Sequence, residues 1–348
     1  MKFSRMLLRW PASAFFRKPY TCNIKITQRC NLRCHFCGLW KLSDREEMSI
    51  SDYSRLADLL KKIGIARVVI TGGEPLLRDD SEEIVGLFAR KGFSTTLLTN
   101  GTLLDRDRMA RLSRNGLSDI GISLDTLDSD TFDAICGSRN QLDHVLDAIR
   151  SARSIHRKGF VMVMITISHR NIELAPDIVR FVTQELDCWA IINPVNITQA
   201  PEAVLTADRG EVEFPLQAET VDRVYDRFAA MKRAGAKIMV SSRFLADSRT
   251  YLKSGNSAWN CHAGISYFTI FSDGSLAPCS DLPAVANVRT MTPEDFGSNA
   301  FRDACDTHRM ACPGCIFSCW REASYLLHDP RIWPERFRDF LRTLIRKG

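Results

Sequence analysis

The sequence predicts an α/β fold built from six β/α units around a mainly parallel sheet, followed by a small cysteine-rich extension. Three observations predict it. From Thr21 to about Val240, short β-branched apolar runs alternate with segments of helical period. Distinctive polar residues stand just past those runs, at the strand ends where parallel β/α folds gather their ligands. After Val240 the pattern gives way to clustered cysteines and one hairpin signal.

The strand candidates, in order, are Asn23–Thr27, Arg67–Thr71, Thr95–Thr99, Asp119–Ser123, Val161–Ile167 and Ala190–Pro194, each bounded by Gly, Asn, Asp or Pro. Helical stretches at Ser51–Ile63, Glu82–Arg90, Arg106–Asn115, Leu142–Lys158, Ile172–Gln184 and Val221–Ala234 lie between or after them. Pro201–Leu216 has no clear period and reads as a surface loop or lid. The hairpin signal is Tyr267–Phe271 and Ser275–Pro278 around Ser272, Asp273 and Gly274. These elements divide the chain into a basic amphipathic segment (1–20), the β/α body (21–240) and the extension with a C-terminal helix (241–348).

At 348 residues, 45% of them hydrophobic and 25% charged, the chain can bury a full core and carry one large domain with a small one. No apolar run approaches the roughly 20 residues that span a bilayer. The net charge of +6 is spread along the chain without an aromatic-interleaved basic stripe, so nucleic acid is not an expected partner.

Nine of the twelve cysteines fall in two clusters, Cys30 to Cys37 and Cys261 to Cys319. Spacings of two or three residues suit metal-ligand loops better than a secreted disulfide framework. Arg9, Pro11, Arg17 and Lys18 break any signal-peptide h-region, so the expected setting is the cytoplasm, where thiolates stay reduced. Cys22, Cys136 and Cys188 are isolated and read as buried small hydrophobes, and Cys305 as a core thiol.

Cys30, Cys34 and Cys37 follow the first strand in the string Cys-Asn-Leu-Arg-Cys-His-Phe-Cys. Three thiolates on one loop suit an iron-sulfur cubane with one iron left open to a small molecule. The alternative is a buried or zinc-bound set, with His35 as a fourth ligand.

This string, with Phe36 before the last cysteine, resembles the CxxxCxφC signature of the radical S-adenosylmethionine (radical SAM) superfamily. The resemblance covers about residues 21–240 and implies a partial (β/α)6 barrel in which SAM chelates the open iron of a 4Fe-4S cluster. It implies reductive cleavage of SAM to a 5′-deoxyadenosyl radical that abstracts hydrogen from a substrate. A low-potential electron donor such as flavodoxin or ferredoxin is the implied partner.

Four further strand ends match. Gly72-Gly73-Glu74-Pro75 resembles the GGEP segment, whose backbone and carboxylate are implied to meet the SAM amino group. Asn100, and Ser123 with Asp125, match polar strand ends implied to reach SAM's ribose and carboxylate. Read without the resemblance, Asn100-Gly101 is a turn and Asp125 a cap for a helix from Asp130. The fifth strand runs into Ser168, His169, Arg170 and Asn171 in place of the glycine-containing segment common in the family, and Ser168 is taken as the SAM contact. Asn193 and Pro194 end the sixth strand, where adenine contacts are common.

Cys261, twelve residues, Gly274, four residues and Cys279 resemble the opening of the SPASM or shorter twitch extension, which carries auxiliary clusters. Cys305, Cys312, Cys315 and Cys319 follow with compressed spacing. The expectation is one auxiliary 4Fe-4S cluster on Cys261, Cys279 and two of Cys312, Cys315 and Cys319; a structural zinc is the alternative. Four closing thiolates would favour electron transfer, three an open iron for substrate. Asp281 lies near where related dehydrogenating enzymes keep a carboxylate base, and otherwise reads as a solvated loop residue.

About twenty residues precede the first strand, too few for the leader-peptide module common in peptide-modifying members. The expected substrate is therefore a small molecule or lipid, with peptide modification and a non-catalytic iron-sulfur or zinc protein as alternatives. Phe3, Met6, Leu7, Leu8, Trp10, Phe15 and Phe16 among five basic residues, and Trp333, Phe337, Phe340, Leu341 and Leu344 beside further arginines, would suit a peripheral membrane contact or helices packed on the barrel.

Overall fold

The computed structural model describes residues 19–42, 46–197, 212–256 and 259–345. The basic N-terminal segment, apart from its last two residues, and most of the Pro201–Leu216 loop lie outside them.

Six strands run parallel: β1 (Thr21–Thr27), β2 (Arg67–Gly72), β3 (Ser94–Thr99), β4 (Asp119–Ser123), β5 (Val161–Ile167) and β6 (Trp189–Pro194). Every residue of β1 is buried. Strand alternation explains how: Cys22, Ile24 and Ile26 join the main hydrophobic core, which leaves Asn23, Lys25 and Thr27 on the opposite, polar face.

The helices return the chain between strands: α1 (Ile50–Lys62), α2 (Ser81–Arg90), α3 (Arg106–Arg114), α4 (Ser129–Cys136), α5 (Leu142–Ile155) and α6 (Ala175–Arg180), the last continued by a π-helical turn over Phe181–Glu185. Their starts follow capping chemistry. Ser49 and Asp52 form a reciprocal capping box on α1, and Asp105 caps α3. The cap of α4 is Asp128, which accepts from Thr131 N–H at 2.8 Å, so the capping role read for Asp125 is corrected. Asp125 is too far upstream of the helix start, and its carboxylate is buried elsewhere.

The sheet does not stop near Ser241. After α7 (Ala218–Arg233) and α8 (Ser242–Ser254), β7 (Tyr267–Ile270) pairs parallel to β1, and β8 (Ser275–Ala277) and β9 (Ala286–Asn287) add antiparallel strands. Among the described residues the result is one nine-stranded sheet in the order β6-β5-β4-β3-β2-β1-β7-β8-β9, open rather than closed into a full barrel. The predicted hairpin is thus an edge extension of the same sheet.

Three helices follow: α9 (Asn299–Met310), α10 (Ser318–His328) and α11 (Trp333–Ile345). Polar contacts fix this extension to the body. Ile316 N–H donates to Asn196 Oδ1 at 3.3 Å just past β6, Ser241 N–H donates to Glu322 at 2.6 Å, and Arg321 pairs with Asp247 of α8 at 3.1 Å. Arg336 of α11 donates to Met239 O and pairs with Glu322, while Trp333 and Phe337 remain exposed. Among the described residues, no helix is long and apolar enough to cross a membrane.

Candidate active site

The Cys30–Cys37 loop leaves the end of β1; Cys37 N–H donates to Cys34 O at 3.1 Å within it, and its neighbours hold the rest. Gly73 N–H donates to Thr27 O at 3.0 Å and Glu74 N–H to Arg29 O at 2.8 Å, so the strand end of β2 lies against the stem of the loop. This approach requires glycine: a Cβ on Gly72 would stand 2.2 Å from Thr27 O, and one on Gly73 2.3 Å from Arg29 O. On its other side the loop is bound to the end of α4, with Arg33 N–H donating to Cys136 O at 2.8 Å and His35 N–H to Ile135 O at 3.1 Å.

Glu74 is fully buried, and both carboxylate oxygens are engaged within the protein. Oε1 accepts from Leu76 N–H at 3.0 Å and Thr99 Oγ1 at 2.8 Å; Oε2 accepts from Asn100 N–H at 2.7 Å. Burial raises its pKa, while these bonds oppose the rise. It therefore locks the ends of β2 and β3 together, within electrostatic reach of Cys30. Asn100 carries the lock to the loop: Nδ2 donates to Asn31 Oδ1 at 2.9 Å, and Thr102, which donates to Asn100 Oδ1, accepts from Asn31 Nδ2 at 2.8 Å.

The next strand ends are tied in a similar way. Ser123 ends β4, partly buried. Asp125 is buried; its Oδ1 accepts from Thr166 N–H at 2.6 Å, and burial pushes its pKa up to about 7. Ser168 is buried past β5, where its N–H donates to Asn171 Oδ1 at 2.8 Å, and Asn171 Nδ2 donates back to Asp125 O at 2.8 Å. His169 lies 5.9 Å, ring to ring, from His35 of the cysteine loop, and burial holds it below the ordinary histidine range.

The three loop thiols are free and partly buried, and the charges of Cys34 and Cys37 act on Cys30. Burial raises all three, Cys30 to about 12 and Cys37 to about 11; for Cys34 a side-chain hydrogen bond with Cys136 is the larger cause. Adjacent thiols with no disulfide among them are a donor set that fits a thiolate-bound group, whose charge would favour the deprotonated ligands.

The second cysteine set converges too. Cys261, Cys279, Cys312 and Cys315 line one cavity of about 240 Å³, with Asp281, Arg309, Trp259 and Trp320 also on its wall. Tyr267 stacks on Trp320 at 4.3 Å and exchanges a hydrogen bond with Cys261 Sγ at 3.2 Å. Cys319 is not on that wall. It is an exposed residue of α10, and the charges of Asp281 and Arg67 act on its thiol. Cys305 is buried on α9. Among the described residues, no group of three or more His, Cys, Asp or Glu is gathered tightly enough to hold a single metal ion. The four thiols stand around a cavity instead.

Asp281 connects the two sets. It is buried, its charge acts on Cys37 of the first loop, and it acts on Cys279, Cys312 and Cys315 of the cavity. The solvated-loop reading of Asp281 is thereby corrected: the turn after β8 carries it inward rather than to the surface. Lys25, on the polar face of β1, also reaches Cys37 and stands 4.8 Å over the Phe271 ring. Sequence reading missed Lys25, Asn31 and Cys136. A polar residue at an inward strand position was the available signal for Lys25; the other two act through contacts distant in sequence.

Residues 24–182 match the Radical SAM superfamily model. Those residues are a Radical SAM domain, which marks the chain as an enzyme and implies SAM and a 4Fe-4S cluster. Among proteins it is similar to, a probable GTP 3′,8-cyclase of Methanocella arvoryzae is 36% identical over 144 residues, 41% of this chain and 46% of that protein. The GTP 3′,8-cyclase of Marinobacter nauticus is 34% identical over 169 residues, 47% of this chain and 50% of that protein. The chain spans about half the length of these curated relatives. The fold is that of Streptococcus suis SuiB bound to its precursor peptide SuiA (TM-score 0.66, 16% identity, 89% of this chain and 74% of that one). It is also that of anSMEcpe with bound AdoMet (TM-score 0.60, 18% identity, 82% of each chain).

Proposed function

We propose that this chain is a SAM-dependent dehydrogenating enzyme that removes a hydrogen atom, a proton and an electron from its substrate. The observation that carries this reading is the buried Asp281 carboxylate within electrostatic reach of both cysteine sets.

In this reading Cys30, Cys34 and Cys37 hold a 4Fe-4S cluster, and Cys261, Cys279, Cys312 and Cys315 hold a closed auxiliary one. Bound there, these groups would supply a 5′-deoxyadenosyl radical at the strand ends and an electron sink in the extension. The chain's own residues do the rest. Gly73, Asn100, Ser123, Asp125 and Ser168, at the ends of β2 to β5, face SAM through backbone and side-chain polar groups, and Glu74 acts as a positioning residue that keeps β2, β3 and the loop in register. Asp281 takes the proton that leaves the oxidised substrate carbon.

A small-molecule or lipid substrate fits this reading, in a cytoplasmic setting that keeps the thiols reduced, with flavodoxin or ferredoxin as donor. The exposed Trp333 and Phe337 of α11 support a peripheral membrane contact. A peptide substrate is favoured by one observation: SuiB, with its precursor peptide, matches this chain across both body and extension.

Metabolite and peptide profiling of a strain lacking the chain identifies the substrate class by what accumulates. With that substrate, Asp281→Asn should still form 5′-deoxyadenosine from SAM but lose the dehydrogenated product. Wild-type product levels in the variant would reject Asp281 as the base.

A further inference from the structure

The cysteine loop is an excursion that leaves β1 at Thr27 and returns at Met48, just before α1, and two charged residues close its neck. Glu47, on the returning limb, accepts from Thr27 Oγ1 at 2.5 Å and from Arg29 Nε at 3.1 Å, so its carboxylate grips the outgoing limb one residue before Cys30. Thr27 Oγ1 in turn accepts from Arg29 N–H at 3.1 Å. Arg78, past β2 and 7% exposed, spans both limbs: Nη1 donates to Ile26 O and Nη2 to Met48 O, each at 3.1 Å. Asp80 anchors it, accepting from Nε at 2.7 Å and Nη2 at 2.6 Å, and Arg78 Nη1 stands 3.3 Å from Glu47 Oε2. Met48 N–H donates to Ser272 O at 2.7 Å, which ties the returning limb to the turn between β7 and β8.

From this geometry we infer that Glu47 and Arg78 are positioning residues for the SAM-binding cluster, a clasp that closes the neck of the loop and keeps its thiols together. The inference rests on the proposed cluster at Cys30, Cys34 and Cys37. Thiolates brought to one place repel one another until iron neutralises them, so a loop that gathers them needs its two limbs fixed from outside. A guanidinium suits the neck because its planar fork serves two carbonyls and a carboxylate at once, which a point-charged ammonium cannot do. The acceptors around Arg78 compensate its charge where it is buried. Glu47 is the more accessible partner, its side chain 25% exposed, and Asp80 stays on Arg78 when the Glu47 carboxylate is removed.

The test follows metal release to a chelator from the reconstituted full chain, with EPR of the reduced protein reading the part of the signal that changes when SAM is added. Glu47→Ala should lose the SAM-responsive signal about threefold or more faster than wild type, the effect of removing charge-assisted hydrogen bonds, while the metal held by the cavity thiols leaves at the wild-type rate. Glu47→Gln keeps an acceptor for Thr27 and Arg29 and should recover part of the difference. Arg78→Lys keeps the charge but cannot bridge both limbs, and should release at least as fast as Glu47→Ala; if this buried substitution gives no folded protein, the two Glu47 variants decide. Wild-type release from Glu47→Ala would overturn the inference. So would equal acceleration at both thiol sets, which marks a general loss of structure, or a Gln variant that releases as fast as Ala. A wild-type chain with no SAM-responsive signal would overturn the proposed cluster site and this inference with it.

Discussion

Asn100 Nδ2 donates to Asn31 Oδ1 at 2.9 Å, joining the end of β3 to the residue after Cys30. The bond spans 69 positions in sequence and fixes the cysteine loop from a strand that carries none of its thiols. Asn100→Ala should leave the fold intact, because the backbone N–H still reaches Glu74, and should change stability by only about 1 kcal/mol. Release of cluster iron to a chelator should be several-fold faster. An unchanged release rate would show that the loop is held without Asn100.

Gly73→Ala places a methyl group 2.3 Å from Arg29 O, a backbone atom that cannot turn aside. Thermal unfolding should show destabilisation of about 3 kcal/mol or more, or no soluble protein. Gly297→Ala, where a Cβ meets nothing within 4 Å, is the control and should stay within about 0.5 kcal/mol of wild type.

Burial raises the Asp125 pKa to about 7, so the folded chain prefers its protonated form. Its contribution to stability is fully present below the unfolded carboxylate pKa near 3.8 and is lost as pH rises through about 7. Asp125→Asn keeps an oxygen for Thr166 N–H and cannot ionise. Denaturant midpoints of the metal-free chain between pH 5 and pH 8, buffers chosen as about those values, should fall less steeply for the variant. Parallel slopes would contradict the assignment.

The cavity thiols and Cys319 separate by iron content. Cys279→Ala or Cys315→Ala should lower iron from about eight to about four per chain, while Cys319→Ala should leave it unchanged. Wild type holding about four iron and a zinc in place of about eight iron would favour the structural-metal alternative.

Much of this was legible in the sequence, for physical reasons that differ by element. The six parallel strands have β-branched runs with turn residues at both ends, and all six match to within two residues at each end, with β4 and β5 identical. The helix α4 was hidden because its eight residues are too few to show a period, and its cap sits three residues beyond Asp125. Gly72 and Gly73 were read as ligand contacts from their motif; their geometry shows a second demand, the packing of β2 on the stem of the cysteine loop. The convergence of Cys261 and Cys279 with Cys312 and Cys315 depends on β7 pairing with β1, a long-range choice that spacing does not encode. Cys136 looked like core because it is core; only the fold brings its carbonyl to Arg33 of the cysteine loop.

The central claim is that the Cys30–Cys34–Cys37 loop generates the radical. The most direct measurement is 5′-deoxyadenosine formation by the anaerobically reconstituted chain with SAM and dithionite, beside a Cys30→Ala variant. The account predicts 5′-deoxyadenosine from wild type and none above background from the variant. Formation by both, or by neither when wild type is loaded with iron, would contradict it.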